Sequence, residues 1–326
     1  MKVFLADQPG PPGALHEAER PAPEPAYGQV RLRIAYTTLN PLDVLIRQGR
    51  VTWMRRQWPF IPGLEYSGRV DRVGPGVDTK WLGKAVVCSA DFGGAAEYVV
   101  MATSKITPLI ESLGWTIGTA WRVPTLAAWY LLNNAAKVKS GEWVVVHSAA
   151  GATGAMIVQI AKEMGAKVIG LAGGPAKVAY ARGFGADHVL DYRESGWPAE
   201  VKKLTGDGAN LIIDGNGGEI ALKNNQAIAP QGRIFYIGAT SGVPAPSVPP
   251  QLLIAKSISV GGFNLNSIPE ATLAAEEPRL AARLIEKRWR FPIGEIADLA
   301  SLPDMHARFE ARALMGRTII KVAGDI

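Results

Sequence analysis

Hydrophobic and polar positions change their period once along the chain. From Met1 to about Trp115, apolar residues alternate with polar ones or run in short β-branched stretches, as over 29–36 and 95–100, with turns such as Gly74-Pro75-Gly76 between them. That pattern predicts a barrel or a rolled sheet. One helical segment interrupts it over 40–49, where Asn40 suits the cap, Pro41 the first helical position and Gly49 the exit.

From about Ile117 the pattern becomes helical and then alternates. Apolar helices are predicted over 117–136. Strands follow over 144–146, 167–172, 188–190, 209–214 and 232–238, with a helix over 177–183. Such alternation builds a parallel sheet with helices on both faces and ligands at the carboxyl ends of its strands. Residues 257–263 offer an edge strand, which a second copy of the chain would cover, so a homodimer is expected. Residues 243–250 read as a proline-rich surface loop. After a helical stretch over 269–289, the elements over 293–299, 304–314 and 318–322 are too few for another domain and are expected to return to the first.

The turn after the strand at 144–146 carries the chemistry. Its text is His147-Ser148-Ala149-Ala150-Gly151-Ala152-Thr153-Gly154, small residues between a β-branched run and a helical one. A pyrophosphate reaches a helix N-terminus only where no Cβ blocks it, and Gly151 and Gly154 are expected to keep that approach open. Ser148 stands where the first glycine of G-x-G-x-x-G would be.

Composition narrows the class. With 326 residues, 48% hydrophobic and 20% charged, the chain has room for two domains and is neither disordered nor a coiled coil. No apolar run approaches the roughly 20 residues of a membrane span, and the opening residues turn polar too soon for a signal peptide, so a cytoplasmic protein with no membrane partner is expected. The net charge of +6 is spread along the chain in short groups such as Arg55-Arg56 and Lys202-Lys203, without a nucleic-acid module. Scattered charge of this kind is ordinary for a soluble surface, and a phosphorylated cofactor or a thioester-linked substrate would also suit it. The single cysteine, Cys88, excludes an internal disulfide and a cysteine-rich zinc cluster, and its strand setting predicts a buried thiol.

In order along the chain stand Asn40-Pro41-x-Asp43 with Arg47 and Gly49, Pro62-Gly63-x-Glu65-x-x-Gly68, Gly93-Gly94-x-Ala96-Glu97-Tyr98, the turn at 147–154, Gly185-Ala186-Asp187, Asp214-x-x-Gly217-Gly218 and Gly316-Arg317-Thr318-Ile319-Ile320. In these markers nearly the whole chain resembles the medium-chain dehydrogenase/reductase superfamily, in its zinc-free quinone oxidoreductase (zeta-crystallin-like) branch. The resemblance implies an α/β fold class: a doubly wound parallel Rossmann domain over 120–265, binding NADPH, plus a GroES-like β-barrel catalytic domain over 1–119 and 266–326. Zinc-dependent relatives need a cysteine in the early loop and a histidine after Pro-Gly. Here the text is Thr38-Leu39-Asn40 and Gly63-Leu64-Glu65, and Leu64 ligates nothing.

Selection of NAD asks for an acidic residue after the second strand of the nucleotide sheet, yet Gly170-Leu171-Ala172-Gly173-Gly174-Pro175-Ala176-Lys177 has none. Lys177 instead falls in a first helical turn, where a cation opposes the dipole unless an anion is near; otherwise it is a solvated lysine. The resemblance matches Lys177 and Tyr192, with Arg312 as a third, to contacts of the NADPH 2'-phosphate. It assigns the pyrophosphate to Ser148, Gly151, Ala152, Thr153 and Gly154. Further cofactor positions fall at Asn216, Gly238, Ala239, Phe263, Asn264 and Leu265, with Asn216 and the last three toward the nicotinamide.

Hydride transfer to a conjugated acceptor asks side chains mainly to align it and to polarise its oxygen. Asn40, matched to the family's active-site asparagine, offers an amide N–H for that task; its other reading is the helix cap. Asp43 and Arg47 read best as an i, i+4 ion pair. The family's loop tyrosines are Leu45 and Val51 here, and its Leu-Pro-Val-x-Gly-Leu-Thr-Ala reads Trp121-Arg122-Val123-Pro124-Thr125-Leu126-Ala127-Ala128, without the threonine at the position beside the nicotinamide. Trp53, Trp58 and Trp121 suit either a broad aromatic cleft or the core. Two functions follow: an NADPH-dependent reductase of a hydrophobic quinone, enone or enoyl thioester, or an NADPH-binding protein with little turnover.

Overall fold

A computed structural model describes residues 1–51, 58–89 and 91–326. The chain divides into two compact units, Met1–Arg122 with Ile293–Ile326, and Val123–Pro292. Trp53, Arg55 and Arg56 lie outside the described residues.

The first unit is built on one long strand. In chain order its strands are β1 (Lys2–Leu5), β2 (His16–Glu19), β3 (Gln29–Thr38), β4 (Tyr66–Val73), β5 (Ala85–Cys88), β6 (Tyr98–Ala102) and β7 (Thr107–Pro108). β1 and β2 form a separate antiparallel pair. β3 pairs antiparallel with β4 over most of its length, while its other edge takes β6 along residues 29–33. Alternate residues Val30, Leu32 and Ile34 point to one face and meet Tyr66, Val70, Val86, Cys88 and Met101, the period-two pattern of a strand with one face in a core. Cys88 is buried, as its setting predicts. The helix Pro41–Arg47 follows β3 directly. Asp43, its third residue, accepts the Asn40 backbone N–H at 2.8 Å, and Gly49 closes the helix at φ +71°.

The second unit holds β8 (Trp143–Val146), β9 (Lys167–Ala172), β10 (His188–Asp191), β11 (Ala209–Asp214), β12 (Ile228–Tyr236) and β13 (Ser259–Gly262). All pair parallel in the order β10-β9-β8-β11-β12-β13, so the order reverses between β8 and β11, the switch point at which this architecture binds ligands. Val145, Ile169, Leu171, Ile212 and Ile234 form its buried layer with Trp197 and Val201. Near-continuous β-branched runs are what strands covered on both faces require. β13 is one of the two outer strands, with Val260 exposed on it.

The chain then returns to the first unit with β14 (Ile293–Asp298), the helix Leu302–Glu310 and β15 (Arg317–Lys321). β15 pairs antiparallel with β3 along residues 36–38, taking up the edge that β6 leaves.

The return falls at residue 293, not at 266 as the sequence suggests, and the first crossing follows Arg122 instead of residue 119. The helix Glu270–Ile285 buries Leu273, Leu280, Ala281 and Leu284, and its last turn and the residues after it bind the helix Ala152–Glu163. Arg283 and Arg288 both pair with Glu163, at 2.9 and 2.7 Å, and the Gln159 amide exchanges two hydrogen bonds with the Arg290 backbone. These bonds keep 266–292 with the nucleotide sheet. Among the described residues no helix is long and apolar enough to cross a membrane.

One sequence reading changes here, and one left open is decided for Trp121. Asp43 and Arg47 do not pair with each other: Asp43 also accepts the Gly63 N–H at 2.8 Å, and Arg47 turns to Glu310 and the Gly10 carbonyl. Asp43 is drawn inward because it completes the helix start. Trp121 is 2% exposed, so it belongs to the core and offers no cleft surface, and Trp58 packs edge-on to Phe60 at 5.9 Å.

Candidate functional site

Every sequence-predicted cofactor residue except Arg312 follows the carboxyl end of a strand of the second unit. Ser148 to Gly154 come after β8, Lys177 after β9, Tyr192 after β10, Asn216 after β11, Gly238 and Ala239 after β12, and Phe263 to Leu265 after β13. Arg312 is an exposed residue at φ +55° after the helix Leu302–Glu310 in the first unit.

The turn after β8 is tight. Ser148 has φ +53°, its carbonyl accepts the Gly151 N–H at 2.8 Å, and the helix Ala152–Glu163 begins at once. The N–H groups of Ala152, Thr153 and Gly154 have no carbonyl one turn before them, so they form the donor-rich, electropositive end that anions seek. The two glycines differ in role, which corrects the expectation that both open the approach. A Cβ on Gly154 would stand 2.2 Å from the Ser148 carbonyl oxygen, so that glycine packs the helix against the turn. Gly151 is half-exposed with only the Ser148 oxygen near its Cβ position, at 3.2 Å, and is the one that leaves room for a phosphate.

Beside the turn stands an amide with one end occupied. The Asn216 side-chain oxygen accepts from the Ser148 hydroxyl at 2.7 Å and from the Thr240 hydroxyl at 3.0 Å. Its Nδ2, in a residue 1% exposed, has no partner among the described residues. A buried donor left unmade costs about 1–3 kcal/mol, which an acceptor on a bound ligand would recover. The loop carrying it is braced from below: Asp214 accepts the Asn216 and Gly217 N–H groups at 2.7 and 3.0 Å and the Asn224 amide at 2.7 Å. The Asn224 oxygen in turn bonds His147 Nε2 at 2.7 Å, and burial lowers the His147 pKa, keeping the ring neutral.

At the far side, Gly173 and Gly174 lie against Tyr192 and Arg193. Cβ atoms there would stand 2.6 Å from the Tyr192 hydroxyl and 2.5 Å from the Arg193 guanidinium. Lys177 is half-buried in the first turn of the helix Pro175–Arg182. Arg193, which the sequence reading passed over, pairs with Asp191 at 2.9 Å and holds its carboxyl down at about 2. The cluster is cationic, and its carboxylate ends β10 instead of β9.

After β13, Phe263 is half-buried and donates its N–H to the Tyr236 carbonyl at 3.0 Å. Asn264 turns its side-chain oxygen to the Asn266 N–H at 3.0 Å, a local use.

In the first unit, Asn40 is 6% exposed and its side chain bonds Thr38 and Arg317, where β3 and β15 lie side by side. Arg317 also pairs with the fully buried Glu65 at 3.0 Å. The residues at this place do not suit zinc. Leu64 has no ligand atom, Glu65 is bound to Arg317 and Thr38, and among the described residues no three His, Cys, Asp or Glu side chains are grouped to hold an ion. The nucleotide turn does suit a dinucleotide: the glycine approach, the free helix donors and the uncommitted Asn216 amide meet at the switch point.

Comparison with known proteins agrees with this geometry. Residues 152–285 match the family model described as zinc-binding dehydrogenase, and residues 26–111 match the alcohol dehydrogenase GroES-like domain. The chain is 31% identical over 299 residues to quinone oxidoreductase-like protein 2 of Bos taurus, covering 90% of this chain and 85% of that one. It is 29% identical over 288 residues to the quinone oxidoreductase of Homo sapiens, covering 87% and 86%. A mycobacterial protein solved in complex with NADPH superposes with a TM-score of 0.89 at 27% identity, over 98% of this chain and 99% of that one. The Escherichia coli quinone oxidoreductase, also solved with NADPH, shares the fold with a TM-score of 0.90 at 23% identity, over 98% and 100%. The chain therefore belongs to the medium-chain dehydrogenase/reductase superfamily, among the quinone oxidoreductases, with a GroES-like unit and a Rossmann unit.

Proposed function

We propose that this protein is a zinc-independent, NADPH-dependent oxidoreductase that reduces a hydrophobic quinone, enone or other activated alkene, working as a cytoplasmic homodimer. The observation that carries the reading is the buried Asn216 Nδ2, without a partner among the described residues, beside the turn at Gly151, an arrangement that a dinucleotide would complete. The mycobacterial relative solved with NADPH and the relatives named quinone oxidoreductases support it.

In this reading Ser148, Gly151, Ala152, Thr153 and Gly154 hold the pyrophosphate. Lys177, Tyr192 and Arg312 hold the 2'-phosphate, where positive charge and a phenol donor match a dianion. Asn216, Gly238, Ala239, Phe263, Asn264 and Leu265 border the nicotinamide half. NADPH bound there supplies the hydride. Asn40 donates an amide N–H to the acceptor oxygen, stabilising the charge that gathers on it as the hydride arrives. The exposed edge of β13 is the surface on which a second copy adds its own strand.

The test follows NADPH absorbance while a panel of quinones and 2-alkenals is added to the purified protein. Saturable oxidation with at least one acceptor is expected. Tight NADPH binding with no oxidation by any of them would favour a cofactor-binding protein without turnover.

A further inference from the structure

Four buried side chains close a ring of hydrogen bonds around Asn40. Arg317 gives one terminal nitrogen to Glu65 Oε2 at 3.0 Å and the other to the Asn40 side-chain oxygen. Asn40 Nδ2 donates to Thr38 Oγ1 at 2.8 Å, and Thr38 Oγ1 donates to Glu65 Oε2 at 3.2 Å. Exposure runs from 0% at Glu65 and 1% at Thr38 to 5% at Arg317 and 6% at Asn40.

The chemistry of the four groups fixes the direction of every bond. A guanidinium only donates and an ionised carboxylate only accepts. Asn40 must therefore turn its oxygen to Arg317, and Thr38 must turn its proton to Glu65, which leaves the Thr38 oxygen to accept from the amide. The flipped amide would set two donors face to face at Arg317 and offer Thr38 no hydrogen. One Asn40 N–H is thus committed to Thr38, and the second has no partner among the described residues. The cation on its oxygen draws electron density from the amide and makes that second N–H a stronger donor, while Glu65 balances the charge. The ring is assembled by strand pairing: Thr38 ends β3, Arg317 opens β15 beside it, and Glu65 immediately precedes β4 on the other edge.

We propose that Thr38, Glu65 and Arg317 are positioning residues that hold the second Asn40 N–H, oriented and polarised, as the donor to the acceptor's carbonyl oxygen. This rests on the reading of Asn40 given above. Replacing Arg317 or Glu65 would leave a buried charge alone, so the test is made at Thr38, whose change to valine keeps the ion pair and nearly the same shape.

With NADPH and 1,4-benzoquinone, Thr38→Val is expected to lower kcat about tenfold while leaving the NADPH Kd within about twofold, and Thr38→Ser to restore kcat. Thr38→Ala gives the same reading should the valine variant fail to fold. Asn40→Ala is expected to lose at least about as much, and the Thr38→Val/Asn40→Ala double variant no more than Asn40→Ala alone. Asn40→Ala at wild-type kcat overturns the role of Asn40 and the ring's role with it. A loss at Asn40→Ala with wild-type kcat in Thr38→Val, or losses that multiply in the double variant, overturns the positioning while the role of Asn40 stands.

Discussion

The Ser148 hydroxyl donates to the Asn216 side-chain oxygen at 2.7 Å, tying the turn after β8 to the loop after β11 across the point where strand order reverses. This bond and the one from Thr240 fix which end of the amide is spent and which is free. Asn216→Leu removes the free donor, and the NADPH Kd is expected to rise about tenfold, or ~1.4 kcal/mol, by fluorescence titration. Ser148→Ala loosens the amide without deleting it, and a smaller rise is expected.

Gly151 and Gly154 are separable by one methyl group each. At Gly154 a Cβ meets backbone at 2.2 Å, so Gly154→Ala is expected to destabilise the protein by about 1–3 kcal/mol, seen as a lower melting temperature without ligand. Gly151 has φ −91° and a Cβ there would meet only the Ser148 oxygen, at 3.2 Å, so Gly151→Ala is expected to cost less stability than Gly154→Ala and to lose more NADPH affinity. The reverse assignment of the two losses would contradict the roles given to them.

We propose that the cationic cluster after β9 and β10 separates the two nicotinamide dinucleotides. Lys177→Ala is expected to reduce the preference for NADPH over NADH about tenfold, with NADH binding little changed. Arg193→Ala is expected to reduce it less, since Asp191 already engages that guanidinium. Equal losses for both cofactors would assign these side chains to folding.

Asp43 and His306 give stability opposite pH slopes. Burial, with Glu65 adding to it, pushes the Asp43 carboxyl from 3.8 up to about 7, against the pull of its backbone donors and Arg317. Between those values the folded protein keeps a proton that the unfolded chain has released, so stability falls as pH rises through that window. Burial, aided by Arg47, lowers His306 from 6.5 to about 3, so there the unfolded chain holds the extra proton and stability rises with pH. Thermal melts between about pH 4.5 and pH 6.5 are expected to show a shallow net slope in wild type. Asp43→Asn should uncover the rising limb, and His306→Leu the falling one. Unchanged slopes in both variants would place neither titration in this window.

Much of this was legible in the sequence because strand period and turn chemistry are local. The strands Lys167–Ala172 and Ala209–Asp214 fall where β-branched runs predict them, and the helix at Pro41 starts and stops on its own residues. What escaped is held by distant partners. Gly154 reads as an open approach until the Ser148 carbonyl is placed against it, and Asp43 reads as a partner of Arg47 until Gly63 and Glu310 appear. Glu65 and Arg317 were visible as family markers, yet only the pairing of β3 with β4 and β15 reveals that they enclose Asn40. Residues 266–292 carry no local mark of the unit they join, because the bonds that keep them there run to Gln159 and Glu163.

Calorimetric titration of the purified chain with NADPH and with NADH tests most directly whether a dinucleotide phosphate binds along the carboxyl edge of the six-stranded sheet. Binding of one NADPH per chain, at least about tenfold tighter than NADH and weakened by Asn216→Leu, is the predicted result. No binding of NADPH, or equal affinity for the two that Asn216→Leu leaves unchanged, would contradict it.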